Sequence, residues 1–252
     1  MKTSLPAMIC LRMIAVISFP SMASAAVFVP RAFANLEANT GSVTSGVFGS
    51  NAFTGQYQIA ASELSVMGLQ IGDTLTGVSQ RLNDTALTGP ATDVFYSSII
   101  ITLAEAAGSI SSMSSTYASN MVNAVEVFNG SHTVTANSMV TAPFMSSPNP
   151  FGPALYFTTP YTYTGGDLVF MWTKEASANT LSYDAAGSGA FLGAGTVYRS
   201  LHNNGTYEAE TGTLGTNFQV LQLLTTSAVP EPGRALLLST GAALLLMRRR
   251  RG

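Results

Sequence analysis

Few side chains in this sequence could do chemistry, and their spacing limits what kind. His132 and His202 are its two histidines, about 70 positions apart. Neither has a carboxylate or a second histidine at metal-ligand spacing, so both read as surface or structural residues. A Ser-His-Asp triad is assembled in space rather than in sequence. Serine is too abundant here to single one out, and no Gly-x-Ser-x-Gly elbow occurs in the body of the chain. Glu208 and Glu210 would share one face if their segment is a strand, and paired carboxylates can hydrolyse glycosides; the same pair also fits a solvated loop. Asp73, Asp84, Asp93 and Asp167 fall in expected loops and could hold calcium together with backbone carbonyls, although no Asp-x-Asp-x-Asp cluster gathers them. Tyr156, Tyr161, Tyr163, Trp172 and Tyr183 could stack on sugar rings. Trp172 alternates with Phe170 and Leu168 and so fits a core, which leaves Tyr161-Thr162-Tyr163 as the loop best placed for exposure. No catalytic set, metal site or cofactor emerges from these residues.

The segments that must position these residues read as strands. Phe53 to Ile59 alternates apolar and polar, the period of a half-buried strand. Thr74 to Leu82 and Tyr96 to Leu103 follow, the latter with three consecutive β-branched isoleucines that suit a sheet. A helical turn is expected near Tyr117-Ala118-Ser119-Asn120. Val122 to Phe128, a tight turn at Asn129-Gly130, and His132 to Thr135 predict a hairpin. Prolines and an Asn-Pro mark residues 143–153 as a surface loop. Further strands are expected at Leu155 to Thr159, Asp167 to Lys174, Leu181 to Tyr183, Thr196 to Arg199 and Phe218 to Leu224. Turn signals recur between them, no strand–helix alternation is visible, and no internal repeat is seen. This pattern predicts an all-β domain, a β-sandwich or jelly roll, over residues 26–228.

Charge is unevenly placed. The chain carries a formal −2, yet the body holds four cationic residues (Arg31, Arg81, Lys174, Arg199) against twelve acidic ones, a formal −8. An acidic body excludes the phosphate-backbone contacts on which nucleic-acid binding depends. Its apolar content is too high for disorder.

Most of the positive charge lies at the two ends. Residues 1–25 read as a secretory signal peptide: Lys2 and Arg12, a short apolar core at residues 13–19, Pro20, then the small-x-small triplet Ala23-Ser24-Ala25, with cleavage after Ala25. Cys10, the only cysteine, leaves with the leader, so the mature chain has no disulfide or thiol chemistry. At the other end, residues 229–252 form three pieces in a fixed order. Val229-Pro230-Glu231-Pro232-Gly233 is held extended by its prolines. An uncharged run at residues 235–247 follows, about 20 Å long as a helix, and short for a hydrocarbon core of about 30 Å. Arg248, Arg249, Arg250 and Arg251 then place the C-terminus on the cytoplasmic side.

This order of proline motif, apolar run and terminal arginines resembles the PEP-CTERM sorting tail of Gram-negative bacteria, over the last 24 or so residues. Arg234 departs from the pattern by placing a charge before the apolar run. The resemblance implies an exosortase as partner, cleavage near Pro230-Glu231-Pro232, an inner-membrane intermediate, and release or transfer to the cell surface in bacteria that make exopolysaccharide. Pieces of the body, at Gln56, Ser62, Gly77, Leu103, Ser114 and Tyr163, look like a β-sandwich domain common on such proteins; that likeness implies fold and location only. The expected function is a non-enzymatic exported surface or matrix protein associated with exopolysaccharide. A carbohydrate-binding module is the alternative, and a secreted hydrolase the third reading.

Overall fold

The computed structural model describes residues 24–38, 41–43, 49–84, 86, 89–141, 147–178, 182–187 and 193–227. The leader up to residue 23, the motif Val229 to Gly233, the apolar run at 235–247 and the arginines 248–251 lie outside the described residues. Among those described, no helix is long and apolar enough to cross a membrane.

The body, residues 23–229, is one compact unit, and the all-β expectation holds for it. Its strands are β1 (Ser24–Val29), β2 (Gly41–Val43), β3 (Phe53–Ile59), β4 (Thr74–Gln80), β5 (Val94–Ala106), β6 (Met121–Val134), β7 (Leu155–Thr162), β8 (Leu168–Lys174), β9 (Tyr183–Ala186), β10 (Tyr198–Asn204), β11 (Thr213–Gly215), β12 (Phe218–Gln219) and β13 (Leu221–Thr226). The expected turn at Tyr117–Asn120 is a 3-10 turn. One short helix, α1 (Ala61–Val66), was not anticipated. The strands pair antiparallel in three sheets: β1-β13-β4-β7, β11-β10-β3-β8-β5-β6, and β12-β9-β2.

All three sheets contribute to a single apolar cluster. Val27, Leu75, Val78, Leu155 and Leu223 come from the first, Tyr57, Ile99, Phe170 and Trp172 from the second, Tyr183 and Phe218 from the third. Strand alternation explains how: each strand sends every second side chain to one face. Trp172 lies in the centre, 4.7 Å from the Tyr57 ring and 5.6 Å from that of Phe53. Phe53 lies so close over Gly55 that a Cβ there would sit 2.2 Å from its ring, which is why the strand carries glycine at that point.

Three expectations need correction. β3 is not half-buried, because all seven of its residues are buried. Its polar face, Thr54, Gln56 and Gln58, is roofed by residues 107–120. The Gln56 amide donates to the Tyr117 carbonyl at 3.1 Å, Gln58 to that of Gly108 at 2.7 Å, and the Tyr117 hydroxyl to the Thr54 carbonyl at 2.8 Å. Second, there is no hairpin at Asn129-Gly130. β6 runs straight through, with Asn129 opposite Ile100 and Gly130 opposite Ile99, and a bulge absorbs the irregularity between Tyr96 and Ile99. β5, at thirteen residues, is long enough to pair with both halves, and that ladder overrides the local turn preference. Third, Phe218 to Leu224 is two strands. The chain changes sheet at Val220, whose amide donates to the Asp184 carbonyl at 3.1 Å.

That Asp184 belongs to a buried ion pair. Arg81, just beyond β4, is 1% exposed and Asp184 likewise. The guanidinium meets Asp184 Oδ2 at 2.6 and 2.7 Å and donates to the carbonyls of Ala34 and Leu36. Asp184 Oδ1 accepts the Ala38 amide at 3.2 Å. Removing one member of such a pair strands the other charge in the interior, at about 3–5 kcal/mol. Arg81→Met should therefore lower unfolding stability by about that amount in urea titrations; a change within the range of an ordinary surface substitution would show that the pair carries no such strain.

Candidate functional site

The structure separates the two histidines. His132 stands on β6 opposite Tyr96, and His202 on β10 opposite Gly55. Three strands lie between them in the sheet, which is roughly 19 Å at normal strand spacing. They cannot share a ligand or a proton. His132 is half-buried, and burial lowers its pKa.

His202 is in β10. Its Nε2 lies 3.2 Å from Ser200 Oγ, two residues back on the same face of β10. No carboxylate partners it among the described residues. Burial pushes its pKa down to about 4, so the ring is neutral and a weak base at pH 7. Ser200 is fully buried, and its hydroxyl meets the imidazole rather than solvent. His202 also lines a cavity of about 120 Å³, together with Phe53, Tyr57, Phe218, Asn204 and Gln219. The arrangement can accept a small neutral polar group; it does not present a nucleophile and base to a bulky substrate.

The carboxylate candidates are dispersed. Glu208 and Glu210 are in the loop between β10 and β11, so they share no strand face. Glu208 is left-handed, with φ 51°, and its amide donates to Thr173 Oγ1 at 2.7 Å. The Glu210 carbonyl accepts the Tyr117 amide. These bonds pin the loop to β8 and to the 3-10 turn at Tyr117–Asn120. Glu208 lines a cleft of about 250 Å³ on the outer face of the six-stranded sheet, together with Glu126, Met121, Met171 and Ile100.

Three of the four candidate calcium aspartates hold the chain's own donors. Asp73 accepts the Gln70 amide at 2.9 Å and the Ser227 hydroxyl at 3.0 Å. Asp93 accepts the Ala136 amide at 2.7 Å. Asp167 accepts the Ala61 amide at 2.9 Å and the Gln58 side chain at 3.3 Å. Asp84 gives its own amide to Glu37 at 2.9 Å. No group of three or more His, Cys, Asp or Glu residues among those described is placed to hold a metal ion.

The aromatic platform is likewise not assembled. Tyr161, Tyr163, Trp172 and Tyr183 are buried, and Tyr156 alone of the five is exposed, at 68%. The Tyr161-Thr162-Tyr163 loop is an error of the sequence reading. β7 continues through Pro160 to Thr162 as an edge strand, where a missing amide is tolerated, and Tyr161 pairs opposite Leu75 facing the core.

Sequence reasoning missed the cluster around Arg81. Glu37 is there too, its carboxyl pushed up to about 7, mainly by burial. Its Oε2 is buried with no donor facing it, as befits a carboxyl that keeps its proton. Burial also pushes Asp184 upward, while Arg81 and the Ala38 amide pull it down. The available signal was a cation at the end of a strand-like segment, in a body with only four. No family model matches this chain, and no curated protein matches it.

Two titrations follow. Glu37 binds its proton more tightly folded than unfolded, so its contribution is complete below about pH 4.5 and is lost as pH rises through about 7. Glu37→Gln should remove that loss: relative to the variant, the parent protein should weaken between pH 4.5 and 7.5 in urea titrations, and parallel curves would refute the assignment. For His202 the sign is opposite, because its folded pKa is depressed. Its ring resonances should stay those of neutral imidazole from pH 7 down to about pH 5; a midpoint near 6.5 would mean the ring is solvated.

Proposed function

We propose that the chain is an exported, non-enzymatic cell-surface or matrix protein, with a β-sandwich body delivered by an exosortase route and associated with exopolysaccharide. The observation that carries this reading is the C-terminal order: Val229-Pro230-Glu231-Pro232-Gly233, an uncharged run at 235–247, then Arg248 to Arg251. A proline-stiffened segment keeps a cleavage site out of any helix or central strand, the apolar run partitions into the bilayer, and the arginines hold the cytoplasmic side.

The ends of the body support it. β1 and β13 are antiparallel neighbours, with Ser24 opposite Thr226. The first and last strands of the described body therefore lie side by side, starting and finishing at one end of the same sheet, which suits a body trimmed at both ends. The body's formal −8 matches a domain that works in water outside the cell.

Replacing Pro230, Glu231 and Pro232 with alanine should make the protein accumulate uncleaved in the inner membrane of an exosortase-bearing host, as read by fractionation and immunoblot. Unchanged maturation of that variant would remove the sorting reading.

A further inference from the structure

The first strand bears on where the leader is cut, an inference that rests on the export reading above. Two overlapping small-x-small triplets end the leader, Ser21-Met22-Ala23 and Ala23-Ser24-Ala25. Either satisfies the small-residue requirement of signal cleavage. The sequence alone therefore allows a cut at the Ala23–Ser24 bond as well as at the Ala25–Ala26 bond.

The sheet distinguishes the two. β1 starts at Ser24, paired opposite Thr226, and Ala25 is paired opposite Thr225. Their partners belong to β13, an interior strand whose other edge is taken by β4, with Thr225 opposite Leu75 and Thr226 opposite Thr74. Thr225 is buried. A cut after Ala25 would remove two of the six β1 residues and leave that stretch of β13 without partners on one side, where water replaces them poorly. The Ala25–Ala26 bond also lies inside the ladder, between two paired residues. The Ala23–Ser24 bond lies at its margin. Proteolysis requires backbone that is not held by hydrogen bonds, so closure of the sheet protects the inner bond. Cleavage of the inner bond must come first.

We propose that the leader is removed between Ala23 and Ser24, so that the mature N-terminus is Ser24 and all of β1 is retained.

The full chain, produced in a Gram-negative host, tests this through the N-terminal sequence of the exported protein. A start at Ser24 is expected. A start at Ala26 would overturn the proposal and leave export standing, whereas an exported fraction that is empty, with all chains still beginning at Met1, would take the export reading down with it. Two variants separate the triplets. Ala25→Leu spoils only the inner one, and should be processed at the parent rate to the same Ser24 start; accumulation of its precursor would overturn the proposal. Ser21→Leu spoils only the outer triplet and changes nothing in the mature body. It should accumulate as precursor, and parent-like processing of this variant would also overturn the proposal.

Discussion

Asp184 is bonded on every side, and the rest of the structure is arranged around that fact. Its carboxylate takes the Arg81 guanidinium and the Ala38 amide. Its own amide donates to the Arg81 carbonyl, and its carbonyl accepts the Val220 amide. Through one residue, the end of β4, the segment leading into β2, the small sheet and the chain's change of sheet at Val220 are tied together. Two apolar side chains could fill the same volume at no loss of stability. They could not hold the Ala34 and Leu36 carbonyls, which the guanidinium does. The guanidinium thereby ties Ala34, Leu36 and Asp184 into one arrangement.

With that junction fixed, the ladder between β1 and β13 closes the first sheet with the two ends of the body side by side. Ser24 and Thr226, at the two ends of the described body, face each other across that ladder. Among the described residues the chain ends at Ser227, whose hydroxyl donates to Asp73.

Much of this was legible in the residues, and the failures have physical causes. Phe53–Ile59 was bounded correctly because its alternation is strict, yet its polar face was misjudged as exposed. Periodicity reports which residues share a face and cannot say that residues 107–120 fold back to cover it. Asn129-Gly130 was misread because turn preference is local, while the opposing strand that straightens it is contributed by residues far earlier. Tyr161 and Tyr163 read as an exposed loop, whereas an edge strand accommodates Pro160 and carries the chain on to Thr162. The Arg81, Asp184 and Glu37 cluster draws on residues separated by more than a hundred positions and leaves no spacing to detect. At the candidate sites, sequence could name residue types but not distances. Distance is what separates His132 from His202 and disperses the aspartates.

The body offers a buried Ser–His contact, a small cavity and an acidic cleft, and no described set of residues that would carry out a reaction on a large substrate. The proposed sorting tail, by contrast, is read from the order of its parts in the sequence. The account therefore rests on the tail being removed from a body that stands without it. Mass mapping of the C-terminal peptide of the protein recovered outside the cell tests this most directly. The account predicts a chain ending close to Pro230-Glu231-Pro232 and lacking Arg248 to Arg251; recovery there of a chain that still carries its basic terminus would contradict it.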